Sequence, residues 1–218
     1  MTTAATLARV RLNPHSRDVQ RDLRDATQMH KTLMRLLPDG LGASPRQAGG
    51  LLFRVDQTDH ATTVLVQATH TIDPSRLPTD YGYTELKDLT PMFAALRPGL
   101  GVRYRITVNP SKTERLPLEQ KGRRGKIIAL TGAEADQWWH HRATTAGLHL
   151  NTLTPTTVEP VRPRGKNASP MRQPLTRYDG TATITDPDTL THALLTGIGR
   201  AKPYGAGLLT LAPASTRG

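Results

Sequence analysis

Apolar and polar residues alternate along Thr6-Leu-Ala-Arg-Val-Arg-Leu12, and this period of two predicts a half-buried strand closed by Asn13-Pro14. The next stretch, SRDVQRDLRDATQMHKTLMRLLPDG, changes to a helical period. Asp25 and Gln28 have capping-box spacing, so a helix is predicted to begin there and stop before Pro38. Met29, Leu33, Leu36 and Leu37 form its apolar stripe. Strands are predicted at 51–55 and 62–67, around the polar turn QTDHA. A weak helical turn at 73–77 and a strand at 81–86 complete a βαββαβ order, the ferredoxin-like succession.

The pattern then recurs. Residues 101–109 (GVRYRITVN) alternate like the first strand and also end in Asn-Pro. A helix is predicted at 131–146 with Gly147 as its stop, strands at 148–153 and 180–184, a short helix at 188–196 capped by Asp186 or Asp188, and a last strand at 207–211. The expected fold is therefore α+β, with two tandem ferredoxin-like (RRM-like) βαββαβ domains, residues 1–97 and 98–218, joined near Arg97-Pro-Gly.

Charge separates the two halves. The net charge is +11, but residues 1–100 carry 12 Lys/Arg against 10 Asp/Glu, whereas residues 101–218 carry 17 against 8. Such an excess in one half points to a polyanion, nucleic acid first. Residues 111–128 hold six Lys/Arg against two Glu, and residues 161–177 hold five with no acid. Both lack apolar periodicity and read as exposed loops or hairpins that could track a phosphate backbone, through Lys112, Arg123, Arg124 and Lys126 in one and Arg162, Arg164 and Lys166 in the other. With no cysteine, disulfides and thiolate metal sites are excluded. No apolar run approaches a membrane span, so a cytoplasmic protein is expected.

Few motifs carry chemistry. GIGRAKPYG, from Gly197 to Gly205, lacks the Walker pattern and follows a predicted helix rather than a strand, the reverse of a Rossmann loop. Its glycines allow close backbone approach, and Arg200 and Lys202 flank it, which suits RNA phosphates or a tight helix-to-strand turn. Gly199, Arg200, Lys202, Gly205 and Gly207 are accordingly candidate RNA-binding positions. No H-E-x-x-H or G-x-S-x-G occurs, and His140-His141 occupy adjacent helix positions that face apart, so no metal or other cofactor is expected. His30 lies in the early turns of a predicted helix, with Lys31 beside it and Thr27 three residues before it.

Four stretches together, LNPHSRD, ATQMHKTLMRLLP, RYRITVNPSK and GIGRAKPYGAGLLTLAP, resemble the CRISPR-associated endoribonucleases of type I-E systems, the CasE family of the RAMP superfamily. The resemblance covers nearly the whole chain. It implies tandem ferredoxin-like domains and metal-independent cleavage of CRISPR repeat RNA at the base of a stem-loop. It also implies retention of the product with the other Cascade subunits, and no membrane partner. His30 matches the family's catalytic histidine, and Thr27 stands where family members often carry a tyrosine. Thr27 keeps a hydroxyl but not a phenol's reach, and Lys31 could stabilise the charge that develops on phosphorus. Two alternatives stand beside this reading. One is a non-catalytic RNA-hairpin binder of the same fold. The other is an unrelated RRM-like protein that stacks bases on sheet aromatics such as Phe53 and Tyr104.

Overall fold

A computed structural model describes residues 3–115, 125–161 and 173–214. The first half contains β1 (Thr6–Leu12), α1 (Arg17–Arg24), α2 (Ala26–Met34), the one-turn α3 (Pro45–Ala48), β2 (Leu52–Gln57), β3 (Thr62–Ala68), a 3-10 turn (Pro74–Arg76) and β4 (Gly82–Asp88). Its four strands form an antiparallel sheet in the order β2-β3-β1-β4. Along β1 the alternation does what its residues dictate. Ala8, Val10 and Leu12 are buried under the helices, while Arg9 points outward and pairs with Glu85 at 2.6 Å.

After α4 (Thr90–Ala95), the second half repeats the plan with β5 (Gly101–Val108), β6 (Ser111–Thr113), β7 (Ile127–Ala129), α5 (Gly132–Thr145), β8 (Leu148–Leu150), β9 (Thr154–Val161), β10 (Gln173–Ile184), α6 (Pro187–Thr196) and β11 (Leu209–Pro213). The sheet order is β11-β5-β10-β8, with β9 also paired to β10. In both sheets the strand that follows the first helix lies at one edge and the last strand at the other, which is the ferredoxin-like order. Among the described residues no helix is long and apolar enough to cross a membrane.

Several expectations are refined. Helix α2 starts at Ala26 as predicted, and the Asp25 carboxylate caps it by accepting from Thr27 N–H at 2.9 Å. The helix ends at Met34, and Leu36 and Leu37 close two tight turns instead of continuing it. Of the loop or hairpin expected for residues 111–128, the described ends take the hairpin, β6 pairing with β7. Residues 161–177 likewise begin and end in a long ribbon, β9 against β10. Phe53 and Tyr104 are only 2 % and 3 % exposed, and Tyr104 packs on Trp139, which stacks on Tyr178. Neither ring is available to stack bases, so the single-strand reading loses the residues that supported it.

The two sheets meet at their edge strands, β2 and β11. Arg54 on β2 is 2 % exposed and forms a bidentate pair with Asp56, both contacts at 2.9 Å. Its Nη1 donates to the Arg105 carbonyl at 3.1 Å, to the Leu208 carbonyl at 3.3 Å and to the Thr210 hydroxyl at 3.0 Å. Gln67 on β3 adds a buried bond of 2.7 Å to the Leu194 carbonyl of α6. A buried guanidinium is tolerable here because a carboxylate and two carbonyls occupy its donors.

Candidate active site

Helix α2 presents His30 from its second turn, and the chain between α2 and β2 folds back over it. Ser44-Pro45 opens α3, with proline in the first turn where its missing N–H costs nothing, and Gly49-Gly50 closes it. Arg46 is thereby carried to the rim of a cleft of about 550 Å³ lined by His30, Lys31, Met34, Ser44 and Gln47. Its Nη1 donates to the Leu51 carbonyl at 3.2 Å, which fixes the guanidinium.

The imidazole is half-buried. Its Nδ1 is enclosed and has no hydrogen-bond partner, so Nε2 is the atom left to the cleft. Burial, and second the Arg46 charge, lower the His30 pKa below its ordinary 6.5. In the free protein the surroundings therefore favour the neutral imidazole over the imidazolium. Thr27, half-buried on the same helix, does not line this cleft, and Lys31 does.

The glycine-rich loop comes from the other half of the molecule. Past α6 the chain turns left-handed at Gly197, Gly199 and Ala201, makes a 3-10 turn at Lys202–Tyr204, and turns again at Gly205 and Gly207. That turn packs against α2 and β2. Gly205 has φ of 83°, and a Cβ there would sit 3.2 Å from the Phe53 ring, so a side chain would strain the backbone and push on the core together. Gly207, with φ of 88°, receives Ile198 N–H at 3.0 Å and donates to the Thr107 carbonyl at 2.7 Å. Both glycines are buried and shape the loop. Arg200 is exposed, and Lys202 is half-buried in a second cleft of about 360 Å³ that it shares with Arg46, Gln47, Thr69 and Thr196. Burial, then Arg46, hold the Lys202 pKa below its ordinary 10.5. His30, Arg46 and Lys202 are thus brought together from three separate parts of the chain.

The remaining candidates divide. Lys112 stands on β6 and pairs with Glu134 at 3.0 Å, both exposed, and Lys126 borders β7, where its backbone N–H reaches Glu114 at 3.4 Å. Arg123, Arg124, Arg162, Arg164 and Lys166 lie outside the described residues. Arg46 and Arg54 were not singled out from sequence. The only available signal for Arg46 was the helix-start pair Ser44-Pro45 just before it, and for Arg54 a charge inside the apolar run Leu51-Leu-Phe-Arg-Val55.

Comparisons with known proteins agree with this architecture. The family model described as CRISPR associated protein matches residues 7–213. The CRISPR-associated endoribonuclease Cse3 of Thermus thermophilus is 29% identical over 219 residues, spanning 95% of this chain and 99% of that protein. The CRISPR system Cascade subunit CasE of Escherichia coli is 27% identical over 197 residues, 87% of this chain and 93% of its own length. A solved structure of the CRISPR endoribonuclease Cse3 bound to a 19-nucleotide RNA superposes with a TM-score of 0.81 at 28% identity, covering 98% of this chain and all of that one. The match runs through both sheets and the glycine-rich loop, and the chain belongs to the CRISPR-associated protein family.

Proposed function

We propose that this chain is a CRISPR RNA-processing endoribonuclease that cuts the repeat transcript beside its stem-loop and stays with the product in a Cascade complex. The observation that carries this is the half-buried His30 in a cleft that Lys31 and Arg46 also line, on a chain similar along its length to a protein named as a CRISPR-associated endoribonuclease. The cut is an internal transfer. The 2′-oxygen bonds to the adjacent phosphorus, the bond from phosphorus to the 5′-oxygen breaks, and the products are a 2′,3′-cyclic phosphate and a 5′-hydroxyl. His30 accepts the 2′-hydroxyl proton, and the leaving 5′-oxygen takes a proton from water. An imidazole that is neutral at working pH is suited to the first of these transfers. Lys31, on the rim of the same cleft, offsets the negative charge gathering on phosphorus. Thr27, next to the cap of α2, holds the start of the helix rather than the substrate.

The reading extends to the whole chain. We take the boundary between the two ferredoxin-like domains to lie near Arg97 and the place of work to be the cytoplasm. No cofactor enters the scheme. Gly199 and Arg200 present the exposed side of the glycine-rich loop to RNA, which Gly205 and Gly207 hold in shape. Lys112 and Lys126, with the cations at 123, 124, 162, 164 and 166, grip the stem. Purified chain mixed with its repeat hairpin in excess EDTA should yield a single cut, and an uncut hairpin would refute the nuclease reading.

Binding is separable from chemistry. Each lost phosphate contact lowers the salt slope of log K by roughly 0.7 to 0.9. Changing Lys112 and Lys126 together to alanine should weaken hairpin binding most at low salt and flatten its salt dependence. Thermal stability should hardly move, since the Lys112 pair with Glu134 is solvent-exposed. An unchanged salt slope would mean that the β6–β7 hairpin does not touch the backbone.

A further inference from the structure

Arg46 stands in the wall between the His30 cleft and the Lys202 cleft and lines both. It is half-buried, as is Lys202, and burial lowers the pKa of each. Neither forms an ion pair among the described residues, whereas Arg21, Arg54, Arg76, Arg105 and Arg177 each do. Two like charges held close and partly out of water, with no carboxylate between them, raise the free energy of the folded chain. An arrangement of this kind is relieved by an anion. The groups around it are donors: the guanidinium uses one Nη1 bond to the Leu51 carbonyl, and the Thr69 and Thr196 side chains line the same cleft.

We propose that Arg46 and Lys202 form a phosphate subsite beside His30, in which the Arg46 guanidinium holds the nonbridging oxygens of the scissile phosphate. The proposal rests on the nuclease reading above and adds to it a catalytic residue that the sequence did not suggest. A planar fork matches two phosphate oxygens at once, and the match strengthens as charge builds on them while the 2′-oxygen bonds and the 5′-oxygen leaves. Lys202 neutralises the flank of the same group from the opposite half of the molecule. The site therefore exists only while the glycine-rich loop is docked on α2.

The same geometry sets the protonation of the imidazole. Lys31 on its own helix and Arg46 on α3 line its cleft, Lys202 lines the adjoining cleft across Arg46 on the turn packed against α2, and no carboxylate lines either cleft. In the free protein burial, and second the Arg46 charge, disfavour the imidazolium. A bound phosphate offsets the Arg46 charge and draws the pKa of His30 upward.

The test uses the full chain with His30 followed by NMR through its imidazole signals. Inorganic phosphate should raise the His30 midpoint in the wild type. In Arg46→Gln the midpoint without phosphate should already lie higher, and phosphate should move it less. Lys202→Gln should lose part of the phosphate response and serves if Arg46→Gln does not fold. In single-turnover cleavage at saturating protein, Arg46→Gln should lose about 10²-fold, and Arg46→Lys should recover about tenfold of that. Affinity for a hairpin with a 2′-deoxy at the cut should change little. A wild-type His30 indifferent to phosphate, a phosphate response retained in full by Arg46→Gln, or wild-type cleavage by Arg46→Gln would each overturn the subsite. If phosphate moves His30 through Arg46 but the wild type leaves every repeat hairpin intact, the subsite stands and the nuclease reading falls.

Discussion

Replacing His30 with alanine should reduce single-turnover cleavage of the repeat hairpin by about 10²-fold or more, while hairpin affinity stays within a few-fold of the wild type. The separation follows from where the residue sits. His30 lines the cleft, and its buried Nδ1 has no hydrogen-bond partner whose loss would weaken the fold. The cations on β6, on the border of β7 and on the glycine-rich loop are untouched by the change, so the long-range attraction to RNA persists. Removing a half-buried imidazole whose cation is disfavoured should also change the acid response of stability. The folded wild type binds this proton less readily than the unfolded chain, whose histidine titrates near 6.5. The site therefore opposes unfolding least below its folded midpoint. Stability is complete above 6.5 and declines as pH falls from there to the lower folded value. His30→Ala should lack that increment of acid loss. Cleavage at the wild-type rate by the alanine variant would remove His30 from the mechanism.

A second large effect is expected at Arg54, far from the chemistry. Arg54→Ala leaves the Asp56 carboxylate without its bidentate partner and strips a donor from the Arg105 and Leu208 carbonyls at the seam of the two sheets. Breaking one side of a buried ion pair costs roughly 3 to 5 kcal/mol. For a chain of this size that corresponds to a fall in melting temperature on the order of 10 °C. Because β11 follows the glycine-rich loop directly, a loosened seam also lets that loop leave α2, so cleavage at saturating protein should fall as well. Pairing Arg54→Ala with Asp56→Asn should restore part of the stability, since the carboxylate left with only Arg105 at 4.0 Å is then gone. If Arg54→Ala melts with the wild type, the two halves are held together by something other than this residue.

The elements that could be read in advance are those in which one periodicity runs uninterrupted. Thr6–Leu12 and Gly101–Val108 each alternate for their whole length because one face is buried and the other is not. The start of β10 did not announce itself. Its buried positions are Tyr178, Ala182 and Ile184 on one phase and Leu175 on the other, so period two holds only toward its end. Strand β9 carries Pro155 and among the described residues pairs only with β10, an edge position that proline tolerates but sequence pattern does not reveal.

The site was legible in part for the same reason. His30 and Lys31 stand on a helix with a readable stripe, and Lys202 stands beside glycines that mark a turn. Arg46 was not legible, because its partners are 16 residues back on α2 and across the interface on the glycine-rich loop, and only the folded chain joins them. Arg54 is the converse, a charge inside an apolar run that the meeting of two sheet edges buries, although charges are rarely buried.

The most direct test of the account is a pair of repeat hairpins that differ at one atom, assayed at saturating protein in excess EDTA. The all-ribose hairpin should be cut once, leaving a 2′,3′-cyclic phosphate on the upstream fragment. The hairpin with a single 2′-deoxy at the nucleotide before the cut should bind equally well and remain whole. Cutting of the deoxy hairpin, or loss of all cutting when EDTA is added, would contradict internal attack assisted by His30.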